Sequence, residues 1–213
     1  MGVFASFSGI VGKNYQEVVK SLVRFAQNRG GAFEPAQVKG KPDHFCILQQ
    51  QGAHTTISYP DYFVEWDECA EFLSQDLNTA VFSFHVHDGL LWLYTFFVNG
   101  ETADQYSPMP DFFEKLTGEE VRRWDGNVQV LAQYIPGLDP VATGEYLVRW
   151  EGVRKDAVEK LRGFIGLIGL PYPFDENGRP TGQAYRFWTH ASPLEEKEEP
   201  AFEDPKKPWW KFW

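Results

Sequence analysis

The chain has 213 residues, of which 16% are aromatic, and a net charge of −10. This length can bury a core as one large domain or two small ones, and the aromatic content predicts a core dominated by rings. The negative charge argues against nucleic acid and anionic membranes as partners, because like charges repel. No apolar run approaches the roughly 18 residues of a membrane span, and no signal peptide is predicted.

The first part of the chain, residues 1–113, has the pattern of an antiparallel sheet with helices. The pattern predicts a strand at 3–8, a helix capped by Asn14 and Glu17, strands at 44–50 and 55–59, a helix at 65–77, and a hairpin. This order is that of a ferredoxin-like arrangement with one added strand, in which helices cover one face of the sheet. The predicted fold class is therefore α+β.

The predicted hairpin lies between Ala80 and Val98, which is the stretch with the densest apolar and aromatic content. Asp88-Gly89 joins its two strands, because this dipeptide tolerates the positive φ angles of a tight turn. The second strand is apolar on both faces, so both faces should be buried. Asn99-Gly100 predicts another turn directly after it.

The segment 99–113 combines turn residues, acids and prolines beside the most apolar strand. Pro108 and Pro110 cannot donate to a strand ladder, so the segment is predicted to be a loop or an edge strand. Because recognition concentrates in loops on rigid sheets, the candidate binding residues are Glu101, Asp104, Tyr106 and Asp111. The alternative is a segment that packs its own Tyr106 and Phe112 onto the core.

Residues 114–191 form a predicted helical part that packs on the sheet. Its helices are expected around 118–125, 127–134, 140–149 and 154–168, and residues 183–190 are a candidate strand. Residues 192–213 are rich in Glu, Lys and Pro, which predicts a flexible tail. The tail ends in Trp209-Trp210-Lys211-Phe212-Trp213. These rings are expected to dock on the same chain or on another subunit, and a membrane interface is the alternative.

His85 and His87 form the only close pair of histidines in the chain, and they share one face of the predicted strand about 6.8 Å apart. With Asp88 as an oxygen ligand they are a candidate metal site. The alternative is that they hydrogen-bond across the hairpin. No serine or cysteine has an evident base beside it in the sequence, and the loop from Gly9 to Lys13 is too short for a P-loop. No cofactor is therefore predicted.

Four stretches of the chain resemble an uncharacterised bacterial protein family of unknown function. They are FSFHVHDGLLWLYTFFVNGE, DQYSPMPDFF, LAQYIPG and YLVRW, within roughly residues 80–150. The resemblance implies an intracellular bacterial protein, and it implies nothing about an activity.

Negative charge is concentrated in residues 61–125, which hold 14 acidic and 3 basic residues. A solvated acidic face is the plain interpretation, and a surface for a basic protein partner or a cation is the functional one. Cys46 and Cys69 lack the spacing of a metal site, which predicts buried free thiols in a reducing cytoplasm.

The expected function is that of a non-catalytic intracellular interaction protein, such as an immunity-type or regulatory binder. It would use its acidic surface to bind a protein partner, and a basic partner suits that surface best. The alternative is a small metal-binding protein or enzyme centred on His85 and His87.

Overall fold

The structure is a computed structural model that describes residues 4–38 and 44–194. Its strands are β1 (Ala5–Ile10), β2 (Ala32–Pro35), β3 (Cys46–Gln51), β4 (His54–Ser58), β5 (Ala80–His87), β6 (Leu91–Val98), β7 (Glu101–Tyr106) and β8 (Gln183–Trp188). Its helices are α1 (Tyr15–Asn28), α2 (Trp66–Asp76), α3 (Gly118–Arg123), α4 (Val128–Tyr134), α5 (Pro140–Gly144) and α6 (Ala157–Leu167). Within this described part of the chain, no helix is long and apolar enough to cross a membrane. Of the predicted tail, residues 195–213 lie outside the described residues.

The strands form one antiparallel sheet in the order β2-β8-β3-β4-β1-β5-β6-β7. The elements β1, α1, β3, β4, α2 and β5 follow one another as in a ferredoxin-like unit, apart from the insertion of β2, and their strands lie in the order β3-β4-β1-β5. The predicted α+β class is confirmed. Four strands are added to this unit instead of the predicted one, with β2 and β8 beyond β3, and β6 and β7 beyond β5.

One face of the sheet is covered by α1 and α2. The predicted capping box of Asn14 and Glu17 starts α1, and it satisfies backbone N–H groups that the first helical turn leaves free. Both helices contribute their apolar stripes to one core cluster with strand residues of this face. The buried helix residues of the cluster include Val18, Leu22, Phe25, Ala26, Cys69, Ala70 and Leu73.

The opposite face of the sheet is covered by α4 and α6. Buried residues of these helices, including Leu131, Leu161 and Phe164, form a second core cluster with rings from β5 and β6. The ring of Phe164 stacks on that of Tyr94, with 5.6 Å between centroids. Helices therefore pack on both faces, and the predicted placement on one face is not confirmed. The reason is that the central strands are apolar on both sides and need cover on both.

Both turns that were predicted around the apolar strand are present. Asp88 and Gly89 have φ angles of 53° and 67°, and Asn99 and Gly100 have φ angles of 54° and 80°. These values lie in the left-handed region that a tight hairpin turn requires. β5 and β6 consequently pair along their whole length. Three rings of β6 share the second core cluster, as the alternation predicts: Trp92, Tyr94 and Phe96.

The sheet extends beyond residue 113. β8 lies between β2 and β3, which confirms the candidate strand at 183–190. One strand from the predicted helical part at 114–191 therefore also belongs to the sheet, and the predicted division from a sheet part at 1–113 stays a prediction. β7 is its outermost strand, so the edge-strand interpretation of segment 99–113 is confirmed.

Truncation of the Phe164 ring tests the packing of α6 on the second face. Phe164→Ala should lower the free energy of unfolding by about 3–5 kcal/mol, because the buried ring lies against Trp92 and Tyr94. The control Val141→Ala alters a side chain that is 78% exposed and should cost less than about 0.5 kcal/mol. Urea denaturation measures both. Similar small losses in the two variants would show that α6 does not pack on the sheet.

Candidate functional site

A cleft of about 810 Å³ lies at one end of the sheet, where β1 begins and β4 and β5 end. This volume is within the range of sites that hold small ligands, roughly 300–1,000 Å³. Polar groups at its centre come from Ser6, Asp67 and His85. The aromatic rings that line it come from four separate segments: Phe4, then Tyr59, Phe63 and Trp66, then Phe113, and then Tyr172 and Phe174.

His85 organises the polar centre of the cleft. Ser6 of β1 lies directly opposite it in the strand register, and the first turn of α2 places Asp67 over both. Nε2 of His85 lies 3.0 Å from Oδ1 of Asp67 and 3.3 Å from Oγ of Ser83, and Nδ1 lies 3.1 Å from Oγ of Ser6. A carboxylate only accepts, so Nε2–H donates to Asp67, and in a ring that carries its proton on Nε2 alone, Nδ1 accepts from the Ser6 hydroxyl. These four residues, Ser6, Asp67, Ser83 and His85, are the His85 cluster.

Asp67 carries negative charge into the cleft. Burial alone raises the pKa of its carboxyl, but hydrogen bonds from His85 and Ser83 outweigh burial and hold the pKa below its ordinary value. The first turn of α2 adds the positive end of the helix dipole, which also favours the ionised form. The side chain is 47% exposed. A cationic group that enters the cleft can therefore reach an ionised carboxylate.

The order of hydroxyl, imidazole and carboxylate in the His85 cluster is that of a serine hydrolase triad, but the surroundings differ. Ser6 lies in β1, which is paired along both edges with β4 and β5. Ala5 and Phe7, on either side of Ser6, are paired with Val86 and Phe84 of β5, so their backbone N–H groups serve the sheet and are not offered to an oxyanion. The cluster instead ties α2 to the sheet. Sequence reasoning missed it because Ser6 is 79 residues from His85, and only the strand register brings them together.

His87 lies among aromatic rings at the mouth of the cleft. Its ring centroid is 4.9 Å from those of Phe4 and Phe113, and 5.7 Å from that of Phe112. Phe4 and Phe113 are 62% and 60% exposed. Large rings that are packed together and still open to solvent mark interaction sites. These four residues, Phe4, His87, Phe112 and Phe113, are the aromatic patch.

The predicted metal ligands do not converge. His85 is held by the His85 cluster, His87 lies in the aromatic patch, and Asp88 is an exposed residue of the hairpin turn. Within residues 4–38 and 44–194, no group of three His, Cys, Asp or Glu side chains is placed to hold a metal ion. The alternative interpretation, in which the histidines form structural hydrogen bonds, describes His85. Its bond to a neighbouring strand goes to Ser6 of β1, however, and not across the hairpin to β6.

Tyr106, one of the predicted binding residues, is fully buried. Its hydroxyl donates to the backbone carbonyl oxygens of Tyr146 and Val148, at 2.9 and 2.8 Å. These bonds fasten the segment before α6 to the edge strand β7. A partner at the surface cannot reach this ring, so the packing interpretation describes Tyr106.

Asp104 has a similar internal role. It accepts from the Tyr94 hydroxyl at 2.7 Å and from the Asn127 N–H at 2.9 Å, and burial raises the pKa of its carboxyl. Glu101 and Asp111 are exposed, but they lie at the start of β7 and beyond its end. The four predicted residues therefore do not form one surface, and Asp111 alone adjoins the aromatic patch in the sequence.

Part of the negative charge of segment 61–125 is paired within the fold. Arginines from outside the segment bond to three of its carboxylates: Arg29 to Glu65, Arg24 to Asp76, and Arg149 to Asp125. The acidic face is thus smaller than the sequence count suggests.

Other acids of the same segment lie at the cleft. Asp61 and Asp67 line it, and Asp111 and Glu114 flank the two phenylalanines of the aromatic patch. The acidic residues of the cleft therefore adjoin its exposed rings.

Comparisons with protein-family models, with curated proteins and with solved structures find no match to this chain. The resemblance to an uncharacterised bacterial family stays a prediction. Function is therefore inferred from the geometry of the site.

Two substitutions of Asp104 separate an internal role from a binding role. Asp104→Ala removes the acceptor of two hydrogen bonds, one of them from the buried Tyr94 side chain, and should cost about 1–3 kcal/mol of stability. Asp104→Asn keeps an acceptor oxygen and should be nearly neutral at pH 7. Thermal and urea unfolding measure both.

The pH dependence of the Asp104→Asn variant gives a second test. Because the folded pKa of Asp104 is raised, the wild type loses stability relative to this variant as pH rises above the unfolded value of about 3.9. The stability difference should level off once pH exceeds the folded pKa. Equal losses in the Asn and Ala variants at all pH values would contradict the internal role.

Proposed function

We propose that this protein is a non-catalytic interaction protein that takes up a basic, ring-bearing segment of a protein partner in the cleft. The observation that carries the proposal is the aromatic patch, where Phe4 and Phe113 are largely exposed beside the Asp67 carboxylate. Exposed rings gain free energy when a partner covers them, and buried aromatic anchors dominate most interfaces. The carboxylate adds a preference for positive charge.

Lysine and arginine side chains suit the acidic residues of this cleft. Their aliphatic stems pack on rings while the charged heads reach a carboxylate, here Asp61 or Asp67. The face of Trp66 offers a further attraction for a cation. The proposal keeps the basic partner that was expected from the acidic segment 61–125. It assigns the contact with that partner to the cleft and the aromatic patch instead of the whole segment.

The thiols support an intracellular place of action. Cys46 and Cys69 are both free and buried, and burial raises the pKa of both, to about 12 for Cys69. Buried thiols of this kind are unreactive and typical of proteins in reducing compartments. We propose that the interaction takes place in the cytoplasm, in a regulatory or immunity-type role, and that the host is bacterial, as the family resemblance implies.

Partner capture from extracts of the native host tests the proposal. Wild-type protein should retain a partner that Phe4→Ser/Phe113→Ser protein loses, because both rings contribute to the contact. Truncation of interface rings commonly costs about 2 kcal/mol or more, so affinity for the purified partner should fall by about 30-fold. Mass spectrometry identifies the captured protein, and titration calorimetry measures Kd.

The matched control is Val141→Ser, which alters a side chain that is 78% exposed and lies outside the cleft. It should bind the partner as the wild type does. Asp67→Asn should weaken binding about 10-fold. The affinity of the wild type for the partner should also fall when the salt concentration is raised from about 0.05 to about 0.5 M, because salt screens exposed charges. An identical set of captured proteins for the wild type and the Phe4/Phe113 variant would refute the cleft as the binding surface.

A further inference from the structure

We infer that the C-terminal segment 205–213 of the same chain docks in the cleft and competes with the partner. This inference rests on the proposed function, because it assigns an internal occupant to the same site. The segment lies outside the described residues, and its sequence is PKKPWWKFW. It contains three lysines, three tryptophans, one phenylalanine and no acid. This composition matches a cleft that offers exposed rings and the ionised Asp67 carboxylate.

The described chain ends beside a wall of the cleft. Ser192 lies four residues after the end of β8. Its Oγ accepts from the Val64 N–H at 3.1 Å and lies 3.2 Å from Oε2 of Glu65. Phe63 and Trp66, which flank Val64 and Glu65 in the sequence, both line the cleft. The chain beyond Leu194 therefore leaves the fold close to the proposed docking site.

The length of the remaining chain allows the contact. Nineteen residues follow Leu194, and ten of them, 195–204, precede the docking segment. Extended chain spans at most about 3.3–3.6 Å per residue, so ten residues reach across more than 30 Å. A segment tethered this closely has an effective concentration of the order of mM, so even modest affinity fills the cleft.

Charge decides which part of the tail enters. Residues 195–204 hold six acids and one lysine, whereas residues 205–213 hold three lysines and no acid. The acidic residues of the cleft repel the first stretch and attract the second. The tail is thus built as an acidic spacer followed by a basic aromatic end, and the end alone complements Asp61, Asp67 and the aromatic patch.

Competition with the synthetic peptide PKKPWWKFW tests the inference on full-length protein. In one variant the four terminal rings are replaced: Trp209→Ala, Trp210→Ala, Phe212→Ala and Trp213→Ala. Fluorescence polarisation of labelled peptide should show binding to this variant, and at least 10-fold weaker apparent binding to the wild type, whose cleft is already filled. Adding Phe4→Ser/Phe113→Ser to the variant should abolish peptide binding, and adding Val141→Ser should not.

Equal peptide affinity for the wild type and the tail variant would overturn the inference, as would no binding to either. Sedimentation at increasing protein concentration separates the same chain from a second copy. A wild type that stays monomeric supports docking of the segment within its own chain. A wild type that self-associates, when the tail variant does not, contradicts docking within one chain. The proposed function is judged separately, by whether Phe4→Ser/Phe113→Ser protein loses the captured partner.

Discussion

The double pairing of β1, with β4 on one side and β5 on the other, is the constraint on which the rest of the structure depends. It joins the half of the sheet that ends in β4 to the half that begins with β5. The same register sets Ser6 opposite His85 and brings the start of β1 to the cleft. A slip of β1 by one residue would turn Ser6 to the other face of the sheet and away from His85, because strand side chains alternate. The site is therefore a consequence of how the sheet is assembled.

Burial on both faces explains why the binding surface lies at the end of the sheet. α1 and α2 cover one face and α4 and α6 cover the other, so the flat surfaces of the central strands are closed to partners. The strand ends remain, and there the rings of Phe4 and Phe113 stay exposed beside Asp67. The His85 cluster holds that carboxylate in place from the sheet side. Position, apolar area and charge thus come together at one end of the sheet.

Features with local causes were predictable from the sequence. The capping box at Asn14 and the turns at Asp88-Gly89 and Asn99-Gly100 depend on a few neighbouring residues, and all three are present. Features that depend on distant pairing were not. Nothing in the sequence places Asp67 over His85, and nothing shows that the ring of Tyr106 faces inward, because both follow from strand order and helix placement. The candidate site belongs to this second class.

Amide hydrogen exchange on the full chain, with and without the captured partner, tests the central claim most directly. Partner binding at the cleft should slow exchange in residues 59–67 and 110–114, which carry Asp67 and Phe113. Residues 140–149, outside the cleft, should exchange unchanged. Protection confined to segments that do not line the cleft would contradict the account, because the partner would then bind elsewhere.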